Sequence, residues 1–394
     1  MFDGEEFMDK RIFICTHSKL PQGDANSNYI YHMALALAEN GWSVIAIGRA
    51  NTKERSEVEV KGIKCINIPL LGKFPPKVEG HILYGKCMLK ELKAHGIKSE
   101  DYVIIYGGYL SLFSELGRKL SFIQKGHVVT CVVEWPTEDQ FKYGKYDLDF
   151  QLWRKVFYKW MPNWSKIVVI SYNLQKHFNM EGCITFLLPP LIDCKKKVEG
   201  NRTFKDKVQL IYAGADARKD AIRNMLLALK ELSKEERDKF EFHITSLTID
   251  RAKELLDSEK ELIDEYKECL HIHGWMEYEE LIHLYYSVDY LLLAREENQF
   301  TISNFPSKVP EMMNYGIVPV CSRVGDYTGR FLHNMEDSLI FEGASVRQCA
   351  DAIRRAIAIP REQQKEMSVK AIKSAETYFD YRVWSKRLTD FLTS

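Results

Sequence analysis

Between residues 291 and 326 the chain reads LLLAREENQFTISNFPSKVPEMMNYGIVPVCSRVGD. An apolar run passes into a long polar stretch, then into a short helical pattern over 307–314 that Gly316 stops, and then into a second apolar run. A polar loop feeding a helix beside strand ends is where open α/β sheets hold phosphate groups. Ser307 and Lys308 open that helix. Lys308 brings a positive charge into a turn whose dipole favours a negative one, which suits it to an anion. Glu311, one turn on, can accept hydrogen bonds from ribose hydroxyls. The competing reading is a solvated first turn in which Glu311 is an ordinary helical charge.

The elements that must position these residues follow a βα alternation. Apolar, β-rich runs are expected as strands over 11–15, 43–47, 63–68, 102–106, 127–133 and 166–170, with helical periodicity over 29–39, 81–95 and 110–120. Pro189-Pro190 and a lysine-rich stretch over 193–207 break the pattern, and a domain boundary is placed after residue 195. The alternation then restarts, with strands over 208–212, 241–245, 270–273, 290–293 and 318–321 and an amphipathic helix over 221–232. The expected architecture is α/β: an N-terminal Rossmann-like domain over 1–195, a second over 196–378, and a final helix over 379–394 that returns to the first.

The 394 residues exceed what one core commonly serves, which fits two domains. Lysine plus arginine and aspartate plus glutamate both number 55, so the balance lacks the footprint of a nucleic-acid binder. The nine cysteines show no CxxC pair and no zinc spacing, which fits a reducing cytoplasm. The first ten residues are acidic and the apolar run after them is only strand-length, so neither a leader nor a membrane span is expected. Neither half carries GxGxxG after its first strand, which argues against a nicotinamide-dependent oxidoreductase.

The stretch FPSKVPEMMNYGIVPVCSRVGD resembles the donor-binding segment of the retaining family 4 glycosyltransferases, in which a glutamate-bearing helix is followed by a glycine and a Pro-Val pair; Glu311, Gly316, Pro319 and Val320 carry the likeness. The resemblance implies the GT-B fold, two Rossmann-like domains facing across a cleft, and transfer of a sugar, with retention, from a nucleotide-diphosphate sugar. It implies that Glu311 binds the ribose and that backbone around 305–308 approaches the diphosphate. One position departs: where the family has its first glutamate, eight residues before the second, this chain has Ser303.

Other segments extend the likeness. Tyr212-Ala213-Gly214 and then Arg218-Lys219-Asp220 resemble the start of the family's C-terminal domain, which implies that Arg218 and Lys219 stabilise charge on the leaving diphosphate. A surface turn with two adjacent basic residues is the alternative. His273-Gly274-Trp275 resembles the strand end beside the nucleotide base. Gly23-Asp24-Ala25-Asn26 resembles the glycine loop facing the donor; Gly23 permits close backbone approach, and Asp24 or Asn26 can cap the following helix. Glu134 ends a strand where relatives place a histidine near the acceptor, and it can orient or deprotonate a hydroxyl or merely cap a turn.

Asp147-Leu148-Asp149 resembles the metal-binding DxD of the other major glycosyltransferase fold, but it precedes a helix and reads better as a cap, so no catalytic metal or other cofactor is expected. Phe150, Trp153, Phe157 and Trp160 recur at helical spacing with Arg154, Lys155 and Lys159 beside them. Core packing is the favoured reading of that stripe, and peripheral contact with the inner face of a membrane, near a lipid-linked acceptor, is the alternative. The expected partners are a nucleotide-sugar donor and a saccharide or lipid-linked acceptor, in polysaccharide or glycoconjugate synthesis. A catalytically silent nucleotide-sugar binder, or an epimerase or phosphorylase on the same fold, would share the donor site.

Overall fold

The structure of the protein, a computed structural model, describes residues 10–21, 23–163, 166–196, 200–214 and 219–394. The chain forms two compact units, Met1–Leu191 with Tyr381–Ser394, and Ile192–Asp380. The division falls after Leu191 where the sequence suggested 195, and the last helix joins the first unit from Tyr381 where the sequence suggested 379.

The first unit holds strands β1 (Arg11–Thr16), β2 (Ser43–Arg49), β3 (Ser56–Val60), β4 (Ile63–Ile68), β5 (Tyr102–Tyr106), β6 (Val128–Val132), β7 (Lys166–Val169) and β8 (Ile184–Leu187). They form one sheet in the order β3-β4-β2-β1-β5-β6-β7-β8. Every pairing is parallel except β3 with β4. Parallel strands need helical crossovers that cover both faces, so their sequences read as unbroken apolar runs. In β1 the run Ile12 to Cys15 has no exposed surface, and Val103 to Ile105 of β5 is equally buried.

The second unit holds β9 (Val208–Ala213), β10 (Phe240–Thr245), β11 (Leu270–Gly274), β12 (Tyr290–Leu293), β13 (Val318–Ser322) and β14 (Leu339–Phe341), ordered β11-β10-β9-β12-β13-β14. All of its pairings are parallel.

Three local results differ from the sequence expectation for physical reasons. The first helix runs Ala25–Glu39 and starts before 29, because Asp24 accepts the Ser27 amide at 2.8 Å while Ser27 Oγ accepts the Asp24 amide at 2.7 Å. The helix expected over 81–95 is two helices, Pro76–Ile82 and Tyr84–Ala94. β3 was missed because its SEVEV sequence is largely exposed and charged; Lys61 and Gly62, both at positive φ, make the two-residue turn that folds it onto β4.

The terminal helix Tyr381–Thr393 packs on Ala25–Glu39 and buries Trp384, Leu388 and Leu392. Trp42 Nε1 donates to Thr389 Oγ1 at 2.9 Å, so a side chain from the start of the sheet anchors the end of the chain. Leu388 is fully buried. Leu388→Ala is expected to destabilise the protein by about 2–5 kcal/mol through the cavity it leaves, which denaturant unfolding of the purified variant would measure.

Candidate functional site

Each unit gathers polar side chains at the carboxyl ends of its strands. In the first unit a cavity of about 240 Å³ opens there, lined by residues just past β1 (His17), β5 (Gly107 to Tyr109) and β6 (Glu134). Asn26, His81, Asp149 and Trp153 reach it from helices. Two glycines make this possible. Gly107 lies at φ +123°, and a Cβ there would stand 2.0 Å from His17 Nδ1; one on Gly108 would stand 2.8 Å from the Trp153 ring.

Hydrogen bonds fix the tautomer of His81. The Leu110 amide can only donate, and it reaches His81 Nδ1 at 3.1 Å, so the ring carries its proton on Nε2 and gives it to Asp149 Oδ1 at 2.6 Å. Lys77 approaches the other oxygen of Asp149 at 3.1 Å. The His81 hydrogen bond, with Lys77 behind it, holds the Asp149 carboxyl below its ordinary range despite partial burial. Asp147 accepts the Asp149 amide at 3.0 Å, the helix cap read from the sequence, while Asp149 itself faces the cavity.

His17 is different. Its Nδ1 is covered and has no hydrogen-bond partner among the described residues. Burial, with Arg49 adding repulsion, pushes its pKa down to about 4, so the ring is neutral near pH 7. Arg49 itself donates to the Tyr109 hydroxyl at 2.8 Å. Asn26 does not cap its helix; its Oδ1 accepts the Tyr106 hydroxyl at 2.7 Å. Gly23 meets nothing nearer to a built Cβ than Ser27 Oγ at 3.6 Å, so the protein itself makes no demand for glycine there. Glu134 is half-buried in the cavity wall.

In the second unit Gly214 follows β9, and a Cβ there would stand 2.5 Å from the Tyr212 hydroxyl. Arg218 lies outside the described residues. Lys219 is half-buried, with its ammonium 4.7 Å from the centre of the Phe300 ring. Asp220 accepts the Tyr212 hydroxyl at 2.9 Å and Arg295 Nε at 2.7 Å. Arg295 was missed from sequence. It follows β12, keeps only 4% of its surface, and also reaches Asn304 Oδ1 at 3.2 Å. Burial works against its charge, but Asp220, helped by Tyr327 and Tyr212, outweighs burial and raises the guanidinium pKa. The available signal was an arginine two residues past an apolar strand, where a solvated charge is the usual reading.

The helix read over 307–314 forms as Lys308–Asn314. Lys308 Nζ sits 2.9 Å from Glu311 Oε2, and the Tyr285 hydroxyl stands 3.4 Å from Oε1. An anion is therefore not needed to explain Lys308, because Glu311 balances it within the same turn. Ser303, in place of the family's first glutamate, is fully buried and donates to the Gln299 carbonyl at 2.7 Å. Gly274 ends β11 at φ +69° beside the 80% exposed Trp275.

One further group was not read from sequence. His243 in β10 stacks on His271 and His273 at ring separations of 5.0 and 5.2 Å. Its Nε2 donates to Gln209 Oε1 at 2.9 Å, leaving Nδ1 to accept from His273 Nε2 at 3.0 Å. Burial, and then its two histidine neighbours, lower its pKa to about 3.

Of the aromatic stripe, Phe150 and Phe157 are buried in the core, while Trp160 is half-buried and the half-buried Trp153 lines the cavity. The segment is α-helical over Leu148–Lys155 and continues as a π turn over Val156–Trp160. Among the described residues no group of three or more His, Cys, Asp or Glu could hold a metal ion, and no helix is long and apolar enough to cross a membrane.

Residues 194–374 match the family model described as Glycosyl transferases group 1. The fold over nearly the whole chain is similar to that of sucrose-phosphate synthase from Thermosynechococcus elongatus, at 14% identity and a TM-score of 0.75 with 98% of each chain covered. It is also similar to a trehalose-6-phosphate structure from E. coli bound with UDP-2-fluoro glucose (12% identity, TM-score 0.72, 98% of this chain and 99% of that one). A third likeness is to WaaG, a glycosyltransferase involved in lipopolysaccharide biosynthesis (14% identity, TM-score 0.66, 97% and 100%). No curated protein matches in sequence. The fold is thus of the GT-B type, with two Rossmann-like α/β units, and the family match supports a glycosyltransferase.

His17 and His243 give a pH dependence with a definite sign. Both have folded pKa values below the ordinary 6.5, so the unfolded chain binds protons first as pH falls. Their contribution to stability is complete above about pH 6.5. It is lost on acidification toward about 4 for His17 and about 3 for His243. The thermal midpoint is expected to drop across that range, and His17→Gln and His243→Gln should each flatten the slope; an unaltered slope in both would remove the explanation.

Proposed function

We propose that the protein is a retaining glycosyltransferase that moves a sugar from a nucleotide-diphosphate sugar to a hydroxyl of a saccharide or lipid-linked acceptor, in polysaccharide or glycoconjugate synthesis. The observation that carries this is the family match over 194–374, because Lys219, Gly274, Ser307, Lys308 and Glu311 all fall inside it. In this reading the bond from the sugar's anomeric carbon to the diphosphate breaks while a bond to the acceptor oxygen forms. Lys219, with Arg218, stabilises the charge that accumulates on the departing diphosphate. Glu311 accepts hydrogen bonds from the ribose, and Gly214 and Gly274 let the backbone come close to the nucleotide. The acceptor enters the cavity of the first unit, where Glu134 orients its hydroxyl and can take the proton.

Lys219→Ala is expected to lower kcat by roughly 10²–10³-fold, the scale for losing one electrostatic stabiliser, with the melting temperature unchanged. Glu311→Ala should weaken donor binding, read as a smaller thermal shift with UDP-, GDP- or ADP-sugars. Near-normal turnover in both variants would overturn the donor assignment. A donor-induced shift without product from any acceptor would instead favour the silent binder.

A lipid-linked acceptor has separate support from the surface of the first unit. Tyr143, Tyr146 and Leu148 are 64%, 82% and 62% exposed. Lys142, Lys145, Arg154, Lys155 and Lys159 are exposed around them, and Asp149 is already engaged by His81 and Lys77. Each lysine or arginine near an anionic bilayer contributes about 1 kcal/mol. The protein is therefore expected to co-sediment with phosphatidylglycerol vesicles and not with phosphatidylcholine alone. The double change Lys142→Glu and Lys145→Glu should weaken that binding by at least about tenfold.

A further inference from the structure

The cavity of the first unit carries information about the acceptor itself, given the glycosyltransferase reading above. Among the described residues its lining contains no lysine and no arginine. Of its two histidines, His17 is held neutral, and His81 has Nδ1 filled by the Leu110 amide and its one proton given to Asp149. The nearby cations lie behind the wall and are held by its residues: Arg49 on the Tyr109 hydroxyl, Lys77 on Asp149. Two carboxyl groups, Glu134 and Asp149, face the space instead. A phosphate group is bound through charge-assisted donors and is repelled by carboxylates. This wall offers it nothing of the first and two of the second.

What the wall does offer suits an uncharged polyol. A carboxylate has about four lone-pair sites, and Asp149 has given one to His81 and one to Lys77, so acceptor capacity is left for hydroxyl protons. Asn26, with Oδ1 taken by Tyr106, presents its amide N–H groups as donors to hydroxyl oxygens. The half-buried rings of Phe141 and Trp153, centroids 6.0 Å apart, supply flat apolar faces of the kind on which the C–H face of a sugar ring stacks. We propose that this cavity is an acceptor subsite for an unphosphorylated pyranose, gripped by Asp149 and Asn26 and stacked on Trp153, and that it discriminates against sugar phosphates.

The test is saturation-transfer NMR on the whole protein with the methyl α-pyranosides of glucose, galactose, mannose and N-acetylglucosamine, alongside glucose 6-phosphate. At least one glycoside is expected to bind, and glucose 6-phosphate to bind at least tenfold more weakly or not at all. Asp149→Asn, which keeps the His81 contact but not the charge, should weaken the glycoside at least tenfold. Trp153→Phe, which keeps a ring against Gly108, should weaken it severalfold, with melting temperatures of both variants confirming the fold. Equal or tighter binding of the phosphate, silence of every glycoside, or indifference to Asp149→Asn would overturn the proposal. Glycoside binding in a protein that no nucleotide-sugar stabilises would sink glycosyl transfer and leave the sugar site standing; nucleotide-sugar binding paired with a preference for glucose 6-phosphate would do the reverse.

Discussion

Strand direction is the constraint on which the rest depends. A parallel pair cannot be closed by a hairpin, so each strand leaves its sheet at the carboxyl end and the leaving loops collect along one edge. In the first unit this brings His17, Gly107 and Glu134 to one cavity although three different strands deliver them. In the second unit Gly214 and Arg295 follow β9 and β12, and Gly274 closes β11, by the same rule. The chemistry of each unit is thus a by-product of how its core is buried.

Charged and polar side chains in these loops and the helices beside them come in matched sets. Arg295 with Asp220, Lys308 with Glu311, and His81 with Asp149 each join residues of opposite or complementary character. An unpaired buried charge would cost several kcal/mol, so the loops can be placed firmly only where partners meet. The Asp220–Arg295 pair, with Tyr212 and Asn304 attached, ties the loop after β9 to the loop after β12.

The sheets were legible because buried parallel strands leave continuous apolar runs, and eleven such runs in the sequence correspond to strands of the structure. β3 was invisible because a charged, exposed edge strand has no such run, and β8 and β14 are short. At the site level, the motif around Glu311 was legible since a glycine stop and a polar loop are local signals. His81, Asp149 and Arg295 were not, because their roles are made by partners far away in sequence. Asp149 illustrates the difference: its neighbours announce a helix cap, which Asp147 supplies, while its own role depends on His81 and Lys77.

The π turn at Val156–Trp160 changes how this stretch can vary. A π turn holds one residue more than an α turn, and each residue turns a helix by about 100°. The extra residue is absorbed without changing the phase of the helix on either side, so losing a single residue here would restore a regular helix and leave the flanking side chains on their present faces. The boundary between the interior and the basic, tyrosine-rich surface is therefore protected against a change of length at this one turn. A one-residue deletion can be taken up within the π turn, whereas the same deletion in the regular helix before it would swing Phe157 off the core by about 100°.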